Sequence, residues 1–237
     1  MFYREAGRFN TSYSQDQAIF PIFQDKWTIL ALVAFMYVAV PLFANSYQYE
    51  VILLPILVFA LAALGLNVLT GYCGQISLGT GGFMAVGAFS AFKLTTSFPD
   101  MNIIIVFLLS GLFSALAGLL FGIPSLRIKG FYLAVATLAS QFFFEWLFQK
   151  YEWFHNYSTS GTISAPHREF LGYVISGPRT PYEIKYWIAL TFLVVFALIV
   201  KNLSRSQIGR SWMAIRDMDI AAEIIGIRPL KAKLIAF

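Results

Sequence analysis

Six long stretches of this 237-residue chain are free, or nearly free, of charge, and no other feature restricts its fold as strongly. Residues 27–43, 51–70, 76–92, 103–126 and 186–200 contain no Asp, Glu, Lys or Arg, and 130–149 holds one acid, Glu145. About 20 helical residues cross a hydrocarbon core about 30 Å thick, and inside that core every backbone amide must find its partner within the protein. Six such runs predict an all-α, polytopic membrane protein. A soluble helical domain would have to hide all of these uncharged turns from water. Its charged fraction would be roughly 25%, against the 12% found here. The first run does not read as a cleaved leader: Glu5, Asp16 and Asp25 precede it, and no small-residue cleavage pattern follows.

The basic residues orient the runs. With alternating sides, 12 of the 17 Lys and Arg fall on one set of connections, among them Arg4, Arg8, Arg127, Lys129, Arg205, Arg210 and Arg216. Lys93, Lys150, Arg168, Arg179 and Lys185 fall on the other. Basic residues near membrane ends resist translocation, so the richer side is predicted to be cytoplasmic, with the N-terminus inside. The formal charge of +5 follows from this bias. No basic stripe interleaved with aromatics points to nucleic acid.

Four segments result. Residues 1–26 form a cytoplasmic N-terminal arm, 27–202 the transmembrane domain, 203–230 a cytoplasmic loop and 231–237 the start of a further span. The chain is therefore expected to break off before its last membrane segments. Pro55 predicts a kink in the second run. Residues 65–89 are the most irregular, with seven glycines among 25 residues. Glycine lets backbone leave helical geometry or lets helices approach closely. A break or short re-entrant piece is predicted here, with Asn67, Gly71, Gly74, Gln75, Ser77 and Gly79 either lining a translocation path or packing helices. Gly79-Thr-Gly-Gly lacks the Gly-Lys-Ser/Thr of a phosphate loop. Cys73 stands alone, so no intramolecular disulfide forms, and it reads as a packing residue.

Run four carries Ser110, Ser114, Gly118 and Gly122, a small-residue face suited to packing. Run five carries Thr137, Gln141 and Glu145 at spacing four, one stripe that either lines the path or packs. A carboxylate within a span is costly in lipid and usually faces a cavity or partner, although Glu145 lies toward the outer end, where it could reach the interface. Residues 150–184 form a long outer connection. Its His155 and His167 have no cysteine cluster beside them and predict no metal site. No cofactor motif is present.

Residues 206–229 differ in kind. Trp212, Ile215, Met218, Ala222 and Ile225 share one helical face, and Arg216, Asp219 and Glu223 lie on another, with Arg216–Asp219 a possible pair. Gly226 and Pro229 suit a helix end. A short amphipathic helix displayed between two spans is predicted, either resting at the lipid surface or docking a soluble partner.

Three motifs then carry a family resemblance. Gly209-Arg-Ser-Trp-Met-Ala-Ile-Arg-Asp217 with Ala221-Ala-Glu-Ile-Ile-Gly226-Ile resembles the cytoplasmic coupling region of branched-chain amino acid ABC importer permeases. Gly65–Gly79 and Leu126-Arg-Ile-Lys-Gly-Phe-Tyr-Leu-Ala-Val-Ala-Thr-Leu138 resemble two further motifs of that family, in the same order. Thr80 stands where many relatives carry His or Gln. The resemblance implies a bacterial inner-membrane permease subunit, paired with a second permease subunit. Two cytoplasmic ABC ATPases and a periplasmic substrate-binding protein would complete the importer. It assigns ATPase coupling to Gly209–Gly226, with Arg210, Arg216, Asp217 and Glu223 among the contact or shape-setting residues. The chain has no Gly-x-x-x-x-Gly-Lys-Ser/Thr of its own, so ATP hydrolysis would belong to its partners. The alternative is an ion-coupled transporter or channel, disfavoured by the scarcity of embedded charge. A membrane enzyme would need a His, Cys and acid cluster that the sequence lacks.

Overall fold

The computed structural model describes residues 11–12, 20, 23–126, 132–158, 163–170, 173–177 and 180–237. Most of the N-terminal arm, and Arg127–Phe131 of the third motif, lie outside them. Each of the six uncharged runs contributes a helix, although residues 76–79, at the head of the third run, are not helical. They form α1 (Phe23–Phe43), α2 (Leu54–Asn67), α3 (Thr80–Ser97), α4 (Ile103–Leu126), α5 (Tyr132–Lys150) and α6 (Tyr182–Arg205). Among the described residues, four helical stretches are long and apolar enough to cross a membrane: Gln24–Phe43, Gln48–Tyr72, Ile103–Pro124 and Tyr182–Arg205. The two runs that fall short, α3 and α5, carry the polar residues discussed below.

Proline and glycine set the irregularities. A wider π-helical turn, Gln48–Leu53, leads into α2, where Pro55 occupies the first turn. Proline has no N–H to donate and its ring crowds the preceding turn, so the widened turn replaces the plain kink that Pro55 predicts. A second π turn, Val68–Tyr72, ends this helix, and residues 73–79 are non-helical before α3 begins at Thr80. This is the predicted break.

The helices pack in two groups. In the first, α2 lies along α6, with Tyr49, Leu57, Tyr186 and Leu190 buried between them. Tyr186 donates its hydroxyl to the Met36 carbonyl of α1 at 3.0 Å, which satisfies a phenol buried among apolar side chains. In the second group, α3, α4 and α5 surround Val86, Phe144 and Phe148. The small-residue face of α4 is covered as its spacing predicts. Ser114 donates to the Phe83 carbonyl of α3 at 2.8 Å, and Phe237 lies against Gly118 and Gly122.

The two ends of the bundle differ. At one end the connection between α5 and α6 includes a short turn, Glu152–His155, and an antiparallel hairpin of β1 (Arg168–Phe170) and β2 (Tyr173–Ser176). Arg168 donates to the carbonyls of Thr95 and Phe98 at 2.7 and 2.6 Å, satisfying acceptors left over at the end of α3. At the other end lie α7 (Gln207–Asp217), α8 (Asp219–Ile224) and α9 (Pro229–Ala236). These enclose a third core of Val68, Cys73, Trp212, Ile215, Ala222 and Ala232.

Candidate coupling element and translocation site

The amphipathic segment is two helices, which corrects the single helix that periodicity predicts. Met218 adopts an extended backbone, φ −160° and ψ 98°, and separates α7 from α8. The bend turns two of the five residues of the expected apolar face outward. Trp212, Ile215 and Ala222 are buried, while Met218 and Ile225 are 66% and 73% exposed. With Ile220 and with Ile224, which is 81% exposed, they form an apolar tip beside Asp217, Asp219 and Glu223. The bend also changes the ion pair: Arg216 Nε meets Asp217 Oδ1 at 3.1 Å in place of Asp219.

The ends of this lobe are built locally. Ser206 caps α7, its hydroxyl accepting from Ile208 N at 3.2 Å. Gly209 lies so close to the end of α6 that a Cβ would fall 2.2 Å from the Ser204 carbonyl oxygen. Arg210 is exposed and donates to the Arg205 carbonyl. Gly226, at φ +92°, closes α8: its N–H reaches the Glu223 carbonyl while Ile227 N–H reaches that of Ala222. Both bonds satisfy carbonyls that a helix end leaves over, and the left-handed residue that makes them possible is ordinarily glycine. Trp212 holds the lobe together, donating its indole N–H to the Ala232 carbonyl of α9 at 2.9 Å.

The lobe grips the break between α2 and α3. Arg216 Nη1 donates to the Gly71 carbonyl at 2.9 Å, across 145 positions of sequence. Gly74 has φ +69°, and a Cβ on it would stand 2.8 Å from Arg216 Cγ. Asn67 packs its side-chain oxygen under Gly71. Gly71 and Gly74 thus belong to the contact with α7, and Asn67 packs beneath the first of them.

Past the turn, the extended chain runs along α5. Gln75 is buried with both side-chain amide atoms unpartnered among the described residues. Ser77 is buried as well. Leu78 N–H donates to Thr137 Oγ1 at 3.0 Å, and a Cβ on Gly79 would lie 2.5 Å from the Thr137 carbonyl. Thr137 is fully buried in this contact. The other two members of its stripe behave differently. Gln141 and Glu145 line a cavity of about 540 Å³ between α3 and α5, together with Gln149, Gly81, Gly82 and His155. The stripe on α5 thus divides between packing and cavity lining.

The same spacing reaches Gln149, one turn beyond Glu145, a member of the lining that the three-residue stripe omits. His155 had no local signal, because it reaches the cavity through the turn after α5. His167 sits apart from it, 3.6 Å from Glu169.

These features define a polytopic helical membrane protein with a broken helix held by a folded lobe at one end. The profile described as branched-chain amino acid transport system, permease component, matches residues 48–237, and the chain belongs to that family. It is 30% identical over 200 residues to the high-affinity branched-chain amino acid transport system permease protein LivM of Salmonella typhimurium. The corresponding LivM of Escherichia coli K12 is 29% identical over 200 residues. Each match covers 76% of this chain and 47% of the relative, so the chain spans about half the length of the curated relatives it matches. No solved structure matches it.

Proposed function

We propose that this chain is permease sequence from an ATP-driven importer of branched-chain or related amino acids in a bacterial inner membrane. Its N-terminus and its α7–α8 lobe face the cytoplasm, the side favoured by the basic residues. The lobe docks a separate ABC ATPase through the apolar tip of Met218, Ile220, Ile224 and Ile225, with Arg210, Asp217 and Glu223 at the rim. A second permease subunit, a second ATPase and an external binding protein complete the machine, as the family implies.

The grip of Arg216 on Gly71 is the observation that carries this reading. A docking element moves membrane helices only if it is attached to something that can rearrange. Here it is attached to the glycine-rich interruption between α2 and α3. Closure of the ATPases would pull on Arg216 and shift the α2–α3 break, biasing the permease between two states through contacts made differently in each. Residues 73–79, Gln141 and Glu145 lie where that rearrangement would open or close a path.

The test replaces Glu223 with Lys, or Gly226 with Val, in the full-length protein assembled with its partners. ATP-dependent amino-acid uptake by proteoliposomes is expected to fall at least about tenfold, the effect of losing roughly 1.4 kcal/mol of coupling. Uptake at the unmodified rate in both variants would refute the assignment of the lobe.

A further inference from the structure

We propose that the cavity between α3 and α5 binds an apolar amino acid, with Glu145 receiving the ligand's ammonium group. The proposal rests on the importer reading above and adds a site to it.

The first observation is an uncompensated charge. Glu145 lines the cavity, and among the described residues no cation or donor reaches its carboxylate. Lys93 near the end of α3 is committed elsewhere: its ammonium donates to Asn156 Oδ1 and lies 4.1 Å over the Trp153 ring. Lys150 does not line the cavity. Glu145 is exposed on the cavity side of α5, so its carboxylate is open to a cationic group entering the cavity, and a charge-assisted contact of that kind is among the stronger hydrogen bonds.

The second observation is what flanks it. Gln141 and Gln149 stand one helical turn to either side of Glu145, and side chains so spaced lie about 5–6 Å apart. Each offers amide N–H groups, which suit a carboxylate carried by the same small ligand. His155 Nδ1, buried without a hydrogen-bond partner among the described residues, adds a further polar group. A zwitterion is matched by this sequence of donors and acceptor.

The third observation is the wall. Ala85, Phe89 and Phe148 supply its apolar part, with the two rings stacked at 4.2 Å. The space itself depends on glycine. A Cβ on Gly82 would stand 2.9 Å from Gln141 Cα, and one on Gly81 would meet the Gln141 amide at 3.5 Å.

The test measures equilibrium binding of radiolabelled leucine to the full-length permease complex in lipid nanodiscs, without binding protein, and uptake by the complete importer. Glu145→Gln is expected to weaken binding about tenfold or more, as loss of a charge-assisted contact does, and Glu145→Asp to weaken it less. Co-purification of the subunits shows that each variant assembles; the Asp variant keeps the test open should the Gln variant not assemble. Leucinol, which keeps the ammonium and lacks the carboxylate, should compete for binding more effectively than 4-methylpentanoate, which lacks the ammonium. Binding unchanged in both variants, or 4-methylpentanoate competing as well as leucinol, overturns the site while amino-acid uptake by the unmodified importer continues. Absence of amino-acid uptake by the unmodified importer overturns the importer reading and this site with it.

Discussion

Replacing Gly74 with alanine probes the contact between the lobe and the broken helix at its tightest point. Gly74 sits at φ +69°, a left-handed conformation that costs an L-residue roughly 1–2 kcal/mol. Its new methyl would also stand 2.8 Å from Arg216 Cγ and 3.3 Å from Arg216 Cα. The backbone contact prevents a simple swing of the side chain, so α7 must shift and the Arg216–Gly71 hydrogen bond is lost. Hydrogen bonds from charged groups are worth about 1.5–3 kcal/mol. The low end applies, because the Arg216 side chain is 43% exposed. The two effects together come to about 3 kcal/mol, or a fall in Tm of about 6–12 °C for a chain of this size. Gly65→Ala is the matched control: Gly65 lies within α2 and a Cβ there meets nothing within 4 Å. Alanine is the better helix former, so that variant should be neutral or slightly more stable. Thermal unfolding of both variants in one detergent, with ATP hydrolysed per amino acid imported by the assembled complex, reads the result. Gly74→Ala should lose stability and waste ATP. A Tm and a coupling ratio matching those of Gly65→Ala would refute the reasoning.

Two further outcomes follow from the same lobe. Gly209→Ala places a methyl 2.2 Å from the Ser204 carbonyl oxygen, so α7 should detach from α6 at a cost of about 2–4 kcal/mol, read as loss of Tm and faster proteolysis after Arg205. Cys73 is buried, and that burial pushes its thiol up to about 11, against a smaller lowering by Lys233. Maleimide should therefore leave it unlabelled at pH 7 until the protein unfolds. Any stability gained by keeping the thiol neutral should be present below pH 9 and lost as pH rises toward about 11. Rapid labelling of the folded protein at pH 7 would contradict this placement.

Much of the fold was legible because a bilayer forces it. Uncharged runs favour helix there, and each of the six supplies one, with only 76–79, in the glycine-rich stretch, left non-helical among the described residues. The glycine-rich break and the turn at Gly226 were legible for the same kind of reason, since each is a backbone shape that side-chain-bearing residues resist. What periodicity could not show was Met218. One extended residue splits an otherwise continuous helical pattern, and no residue type announces it. The consequence was large: Met218 and Ile225 moved from the expected buried face to the exposed tip. Contacts between distant parts of the chain were equally hidden. Arg216 reads as a surface charge until Gly71 is found beneath it. Thr137, Gln141 and Glu145 read as equivalent until the extended chain at Leu78–Gly79 covers only the first of them.

An ATPase docked on the apolar tip of α7–α8 would be held by side chains that can be changed without touching the core of the lobe. Ile224 and Ile225 are exposed, so aspartate at both positions should leave the buried core of Trp212, Ile215 and Ala222 intact. The most direct measurement is co-purification of the full-length permease with its cytoplasmic ATPase, in the unmodified protein and in the Ile224→Asp/Ile225→Asp variant. The ATPase is expected to come down with the first and to be lost from the second at an unchanged Tm. Equal recovery from both, or no ATPase with the unmodified protein, would contradict it.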